Sequence, residues 1–285
     1  MKKFFRKMIA YVGIVSLMSG YIVASPLTAN AAIADGANAV NMIGQYASDG
    51  TTLDYTKGLL PNDGPNAIGL DTASDVLYQA STQRYFISDS GNNRIVVHQA
   101  DASGYMSGTS PLDYKADYVI GQSNFIGKYA AALNGGLSAP EGMTFDDGAL
   151  FYVADSDNDR VVAYNMDSFA TGMSAEMVLG HTDFTGTEGS STSQTGLYHP
   201  TDVTYGTVGA DGYLFVADSM NNRVMVFSMV ALGNGSAAAF VLGQSDWTSN
   251  TPAVTQAGMT TPTYLDYDDM SDQLFVSDTG ANRIL

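Results

Sequence analysis

Three histidines are the first side chains to ask for chemistry: His98, His181 and His199. None stands in a close pair such as His-x-x-x-His, so the spacing offers no zinc site of the kind in which two imidazoles share one helix face. Carboxylates are the stronger candidates. Asp75, Glu141 and Asp202 are expected at corresponding positions near the start of three similar apolar runs, where a fourth run has Tyr264. If those runs surround an axis, the three oxygen ligands would converge at its mouth, and calcium is the cation they suit. The competing reading of each acid is a solvated carboxylate or a turn cap. Asp157-Asn158-Asp159 is a second acidic group, without the spacing of an EF-hand loop. No Ser-His-Asp set, nucleotide motif or phosphate-binding glycine loop can be placed, and the glycines punctuate turns. There is no cysteine, hence no disulfide, no thiolate metal site and no cysteine-linked lipid anchor.

The elements that would position these residues declare themselves by repetition. Four segments align: YFISDSGNNRIVVH from Tyr85, FYVADSDNDRVVAYN from Phe151, LFVADSMNNRVMVFS from Leu214 and LFVSDTGANRIL from Leu274. Their arginines, Arg94, Arg160, Arg223 and Arg283, fall 66, 63 and 60 residues apart. A Gly-Gln element recurs between them, at Val119, Val178 and Val241, with NMIGQYA from Asn41 as an earlier copy. In the second of these, His181 replaces the glutamine. A Gly, an apolar residue and a Pro open each later unit, around Pro140, Pro200 and Pro262; the first unit is read as having Ser74 there.

Each unit holds about four short apolar runs bounded by Gly, Asp, Asn and Ser, which predicts short strands. In the second unit these are Gly142–Phe145, Leu150–Ala154, Arg160–Tyr164 and Glu176–Leu179. Four antiparallel strands per repeat, several times over, predict an all-β chain folded as a β-propeller. The units run roughly over 66–122, 137–181, 196–244 and 258–285. Residues 40–45 are a candidate ring-closing outer strand for the last blade. Because the final unit stops within its third strand, further blades are expected beyond it.

The Asp-Ser-x-Asn-x-Arg turn has a structural task. The residues concerned are Asp89, Asn92 and Arg94; Asp155, Asn158 and Arg160; Asp218, Asn221 and Arg223; and Asp278 with Arg283. The Asp should accept turn N–H groups, the Asn should take a left-handed backbone, and the Arg should reach an aspartate or a carbonyl. Catalysis does not need the same turn four times. Phe125, Phe184 and Trp247 share one offset after the Gly-Gln element and are expected to pack between blades.

These segments resemble the NHL repeat, most closely GMTFDDGALFYVADSDNDRVVAYN at Gly142–Asn165, and the resemblance runs from about Asn41 to Leu285. It implies a propeller of four-stranded antiparallel NHL-like blades. It implies little about activity, since NHL-like propellers include scaffolds, protein or glycan binders, sensors, RNA-binding modules and a few lyases or hydrolases.

The N-terminus carries Lys2, Lys3, Arg6 and Lys7, then an apolar stretch from Met8 to Ala24, then Ala29-Asn30-Ala31. This is the layout of a signal peptide, with cleavage expected after Ala31 and an extracytoplasmic location, secreted or at the cell surface. Net charge is −17, and removing residues 1–31 leaves eight basic against 29 acidic residues, a charge of −21. Such a surface repels phosphate backbones and anionic membranes, so nucleic acid is excluded as a partner and membrane association is confined to export. The expectation is a non-catalytic, monomeric propeller scaffold that binds a protein or glycan and requires no cofactor, calcium being the one cation it could hold. The rival is an extracytoplasmic metal-dependent lyase or hydrolase with its site in the central channel.

Overall fold

The computed structural model describes residues 43–44, 65–102, 104, 106, 114–186 and 192–285. The export segment 1–31, and residues 40–42 and 45 of the candidate closing strand, lie outside them.

Among the described residues the chain is a β-propeller of four blades, each a small antiparallel sheet whose strands follow one another in sequence. Blade 1 is β1 (Ala73–Gln79), β2 (Arg84–Asp89), β3 (Arg94–Gln99) and β4 (Tyr118–Ile120). Blade 2 is β5 (Pro140–Phe145), β6 (Leu150–Asp155), β7 (Arg160–Asn165) and β8 (Met177–Leu179). Blade 3 is β9 (Pro200–Val208), β10 (Asp211–Asp218), β11 (Arg223–Ser228) and β12 (Phe240–Leu242). Blade 4 comprises β13 (Pro262–Asp268), β14 (Gln273–Asp278) and β15 (Arg283–Ile284). The strands expected in the second unit are all present, within two residues at each end.

Why these runs are strands is visible in blade 2. Successive side chains of a strand point to opposite faces. Phe151 and Val153 of β6, with Val162 and Tyr164 of β7, enter one core with Phe86, Ile95 and Val97 of blade 1. Tyr152, Ala154, Val161 and Ala163 enter the next core, with Val203, Leu214 and Met225 of blade 3. Both faces are dry, so the strands read as continuous apolar runs rather than as alternation. A third core joins Phe215 and Val224 to Leu265 and Val276 of blade 4. Phe125, Phe184 and Trp247 each pack at the edge of a core, with Ile87, with the blade 1–2 core and with the blade 2–3 core respectively.

Register corrects the alignment of the inner strands. Pro140 faces Asp155, Pro200 faces Asp218 and Pro262 faces Asp278; in blade 1 the residue facing Asp89 is Ala73, not Ser74. The residues just before, Thr72, Ala139, His199 and Thr261, all have φ between 46° and 52° and confirm the equivalence. Asp75 and Asp202 therefore correspond to each other, to Tyr264 and to Gly142. Glu141 corresponds instead to Ser74, Thr201 and Thr263. Each inner strand begins with an irregular pairing, between Ala73 and Val76 for example, so counting in twos from the strand body slips by one residue.

Gly44, in the early Gly-Gln copy, forms a parallel bridge to Gly69, the relation Gly180 has to Gly196 between blades 2 and 3. Its carbonyl accepts the Leu70 N–H at 3.3 Å.

Candidate functional site

The repeated turn residues are consumed by architecture. The Asp89 carboxylate accepts the Asp71 N–H at 2.6 Å, Asn92 Nδ2 at 2.9 Å and Arg94 Nε at 2.6 Å. Arg94 then spends Nη1 on the Phe125 carbonyl and Nη2 on those of Asn66 and Gly69. Asp155 with Asn158 and Arg160, and Asp218 with Asn221 and Arg223, repeat the arrangement. Asp278 pairs with Arg283 at 2.7 Å. Burial pushes the Asp218 carboxyl up to about 6, against the pull of Arg223, Asn221 and the Tyr198 N–H.

The left-handed residue of each turn is not the Asn expected. It is the next residue, Asn93, Asp159, Asn222 or Asn282, at φ between 52° and 54°. In three of these the side chain latches the following blade: Oδ1 of Asn93 accepts the Ala139 N–H, Asp159 that of His199 and Asn222 that of Thr261, at 2.7–2.8 Å. The turn serines add a second stitch. Ser90, Ser156 and Ser219 donate to the carbonyls of Pro140, Pro200 and Pro262 across the same junctions.

What remains for function is where the blades differ. Ser74, Thr201 and Thr263 each hydrogen-bond the hydroxyl of the turn in their own blade. Blade 2 has Glu141 at that position. It is half-buried, and among the described residues its carboxylate makes no hydrogen bond. Burial raises its pKa, His199 pulls it down and Asp157 pushes it up, which brings the three side chains into one electrostatic neighbourhood. Asp157 occupies the turn position held by Gly91, Met220 and Gly280, and His199 the position held by Thr72, Ala139 and Thr261. His199 Nε2 lies 3.3 Å from Asp157 Oδ1, with the side chains 31% and 55% exposed, so water reaches both. Asp159 lies beside them; burial raises its pKa, while His181 and His199 lower it. An imidazole oriented by a carboxylate, with a second carboxylate of raised pKa nearby, can move protons or hold a cationic group.

His181 stands in for the glutamine it replaces only in part: its Nε2 bonds the Asn158 carbonyl at 3.0 Å, one residue before the position whose carbonyl Gln122 and Gln244 bond, at Asn93 and Asn222. His98 is only 2% exposed, and burial drives its pKa down to about 4.

Asp75 and Asp202 each tie one blade to the next. Asp75 accepts Val76 N–H at 2.7 Å and Met143 N–H of blade 2 at 3.0 Å. Asp202 accepts Val203 N–H at 2.8 Å and Leu265 N–H of blade 4 at 2.6 Å. Their oxygens are thus engaged on backbone amides. Among the described residues no three or more His, Asp or Glu side chains are arranged to hold a metal ion. Burial pushes Asp202 up to about 7, with Asp75 and Glu141 adding repulsion.

Asp202 also fills the space that a side chain on Gly142 would need. A Cβ there would lie 1.9 Å from Asp202 Oδ1 and 2.7 Å from its Cα. Gly142→Ala is expected to cost about 1–3 kcal/mol through overpacking. Gly233→Ala, where nothing lies within 4 Å, should be nearly neutral. Thermal melts of the two variants side by side test this, and equal melting temperatures would refute the packing argument.

Comparison with known proteins bears on the fold. No family model and no curated protein matches the chain. Among solved structures, the chain is similar to a provisionally assigned phosphatase of Bacteroides thetaiotaomicron, at 8% identity and a TM-score of 0.53, covering 82% of this chain and 55% of that one. Virginiamycin B lyase from Staphylococcus aureus matches at 12% identity and a TM-score of 0.40, over 76% of this chain and 54% of the other. A provisionally assigned 6-phosphogluconolactonase from Bacteroides uniformis matches at 13% and 0.45, over 74% and 49%. The chain thus spans about half the length of the solved structures it matches, and at 8% identity the likeness to the phosphatase is one of fold alone.

Proposed function

We propose that this chain is an exported NHL-like propeller that acts as a non-catalytic binding scaffold, holding a protein or glycan at the junction of blades 2 and 3 without a cofactor. The observation that carries this reading is the division of labour among its polar groups. In blades 1 to 3 the repeated Asp, Asn and Arg of the turns are spent on hydrogen bonds within and between blades, and the unrepeated Glu141, Asp157 and His199 gather at one junction with a net acidic character. The basic, apolar and small-residue stretches of residues 1–31 support export, and the acidic charge supports a neutral or basic ligand over nucleic acid.

One observation favours the rival enzyme reading: the His199–Asp157 pair could serve as a general base and its orienting acid. The purified chain should be offered to a glycan array and a set of peptides for binding, and to phosphoesters, lactones and activated esters for turnover. Binding that falls about tenfold in the Glu141→Gln, Asp157→Asn double variant, with no turnover, is the expected outcome; a tenfold change corresponds to about 1.4 kcal/mol. Turnover abolished by His199→Ala would overturn the scaffold reading.

A further inference from the structure

The connection from β4 to β5 and that from β12 to β13 are the same backbone built twice. Gln122 Nε2 bonds the carbonyls of Asn93 and Tyr129, and Gln244 Nε2 those of Asn222 and Thr251. Asn124 Oδ1 accepts the N–H groups of Ile126 and Gly127, as Asp246 Oδ1 accepts those of Thr248 and Ser249. Asn93 Nδ2 donates to the Lys128 carbonyl and Asn222 Nδ2 to that of Asn250. Ala131 N–H closes on Leu137 and Ala253 N–H on Met259. The two loops therefore correspond residue by residue from Gln122 to Pro140 and from Gln244 to Pro262.

Their outward side chains differ. The first loop shows Ile126, Tyr129 and Leu133 to water, at 75%, 83% and 63% exposure. At the same three positions the second has Thr248, Thr251 and Thr255, also exposed, with Val254 as its one large exposed apolar side chain. The fold builds this loop with three threonines, so it does not need the apolar ones. Exposed apolar side chains gathered on one loop without a structural task mark an interaction surface.

The first loop also adjoins the candidate site. Its Ala131 carbonyl accepts Asn158 Nδ2, and its Ala132 and Leu133 carbonyls accept Arg160. The turn that carries Asp157 is thereby pinned against it, and Asp157 N–H donates to Ser138 at the loop's end. The turn pinned to the loop carries Asp157 and Asp159, Glu141 interacts electrostatically with Asp157, and the loop itself contributes Lys128, so three acids stand against one base there, on a chain of net charge −17.

We propose that the 122–134 loop and the adjoining Asp157 turn form a docking surface for a basic, amphipathic polypeptide segment, its apolar side chains covering Ile126, Tyr129 and Leu133 and its lysines or arginines facing Asp157 and Glu141. This rests on the scaffold reading above and names the chemistry of its partner. A rigidly held tip is suited to the role, since little ordering is lost on binding.

The test uses two labelled twelve-residue peptides, alternating Lys-Leu and alternating Lys-Ser, titrated with the full chain by fluorescence anisotropy. Lys-Leu should bind at least tenfold more tightly than Lys-Ser, and binding should weaken between 50 and 500 mM salt as the charges are screened. The Ile126→Thr, Tyr129→Thr, Leu133→Thr variant copies the second loop and should keep the parent's melting temperature while losing tenfold or more of its affinity for Lys-Leu. Equal affinity of parent and variant, or of the two peptides, overturns the proposal. So does sedimentation showing a parent dimer that the variant abolishes, which would make the patch an interface between copies. Enzymatic turnover lost in His199→Ala, with peptide binding intact, would instead sink only the scaffold reading.

Discussion

Arg160→Met should destabilise the propeller by about 3–5 kcal/mol, the cost of leaving a buried charge without its partner. The Arg160 and Asp155 side chains are both fully buried and meet at 2.7 Å. Without the guanidinium, Asp155 keeps only Asn158 and the Ser138 N–H, and the carbonyls of Ala132, Leu133, Gly136 and Phe184 lose their donor together. Those carbonyls belong to the connections that lead into and out of blade 2, so the damage reaches both neighbouring junctions. Arg283→Met is the internal comparison. Its side chain is 24% exposed and bonds only Asp278 and the Gly258 carbonyl among the described residues, so its loss should be clearly smaller. Urea denaturation at pH 7.5 measures both. Equal losses would show that burial of the ion pair is not what matters.

The second large effect is on pH dependence, through Asp202. Its carboxyl is 8% exposed, lies against Gly142 of blade 2 and accepts the Leu265 N–H of blade 4, with Asp75 and Glu141 facing it from the inner strands of blades 1 and 2. Burial lifts it from 3.8 to about 7. A raised carboxyl pKa means the folded state holds a proton that the unfolded chain has released. The stabilising contribution is therefore complete below pH 4 and is lost as pH rises through 7. The displacement corresponds to about 4 kcal/mol across that span. Asp218, raised to about 6, adds a slope of the same sign that ends earlier. Across pH 6 to 8 parent urea midpoints should fall more steeply than those of Asp202→Asn, whose remaining slope is the tail of the Asp218 titration and fades above pH 7. A variant as steep as the parent would rule Asp202 out as the titrating group.

The same residues show where reading along the chain stops. Asp89, Asn92 and Arg94 were legible as architecture because the triad recurs with the apolar runs, and a turn repeated four times has to serve the fold. That Asn92 binds its own aspartate while Asn93 takes the left-handed backbone and reaches blade 2 was not legible, since either residue tolerates that conformation. The inner strands were misaligned by one residue in blade 1. Ala73 stands where the other blades have proline, and the irregular pairing at each strand's start hides the period of two.

What the sequence by itself determined is the all-β repeat, because apolar runs, turn residues and the Asp-Arg pair are local and return at every blade. What only the tertiary structure decided is which unrepeated side chains share a site. Glu141, Asp157 and His199 lie on two blades and far apart in the chain, and their meeting depends on how β5 and β9 pack side by side. Asp75, Glu141 and Asp202 looked equivalent along the chain. In space two of them stitch blades together through backbone amides, and the third, lacking the hydroxyl of its counterparts, faces His199 at the junction of blades 2 and 3.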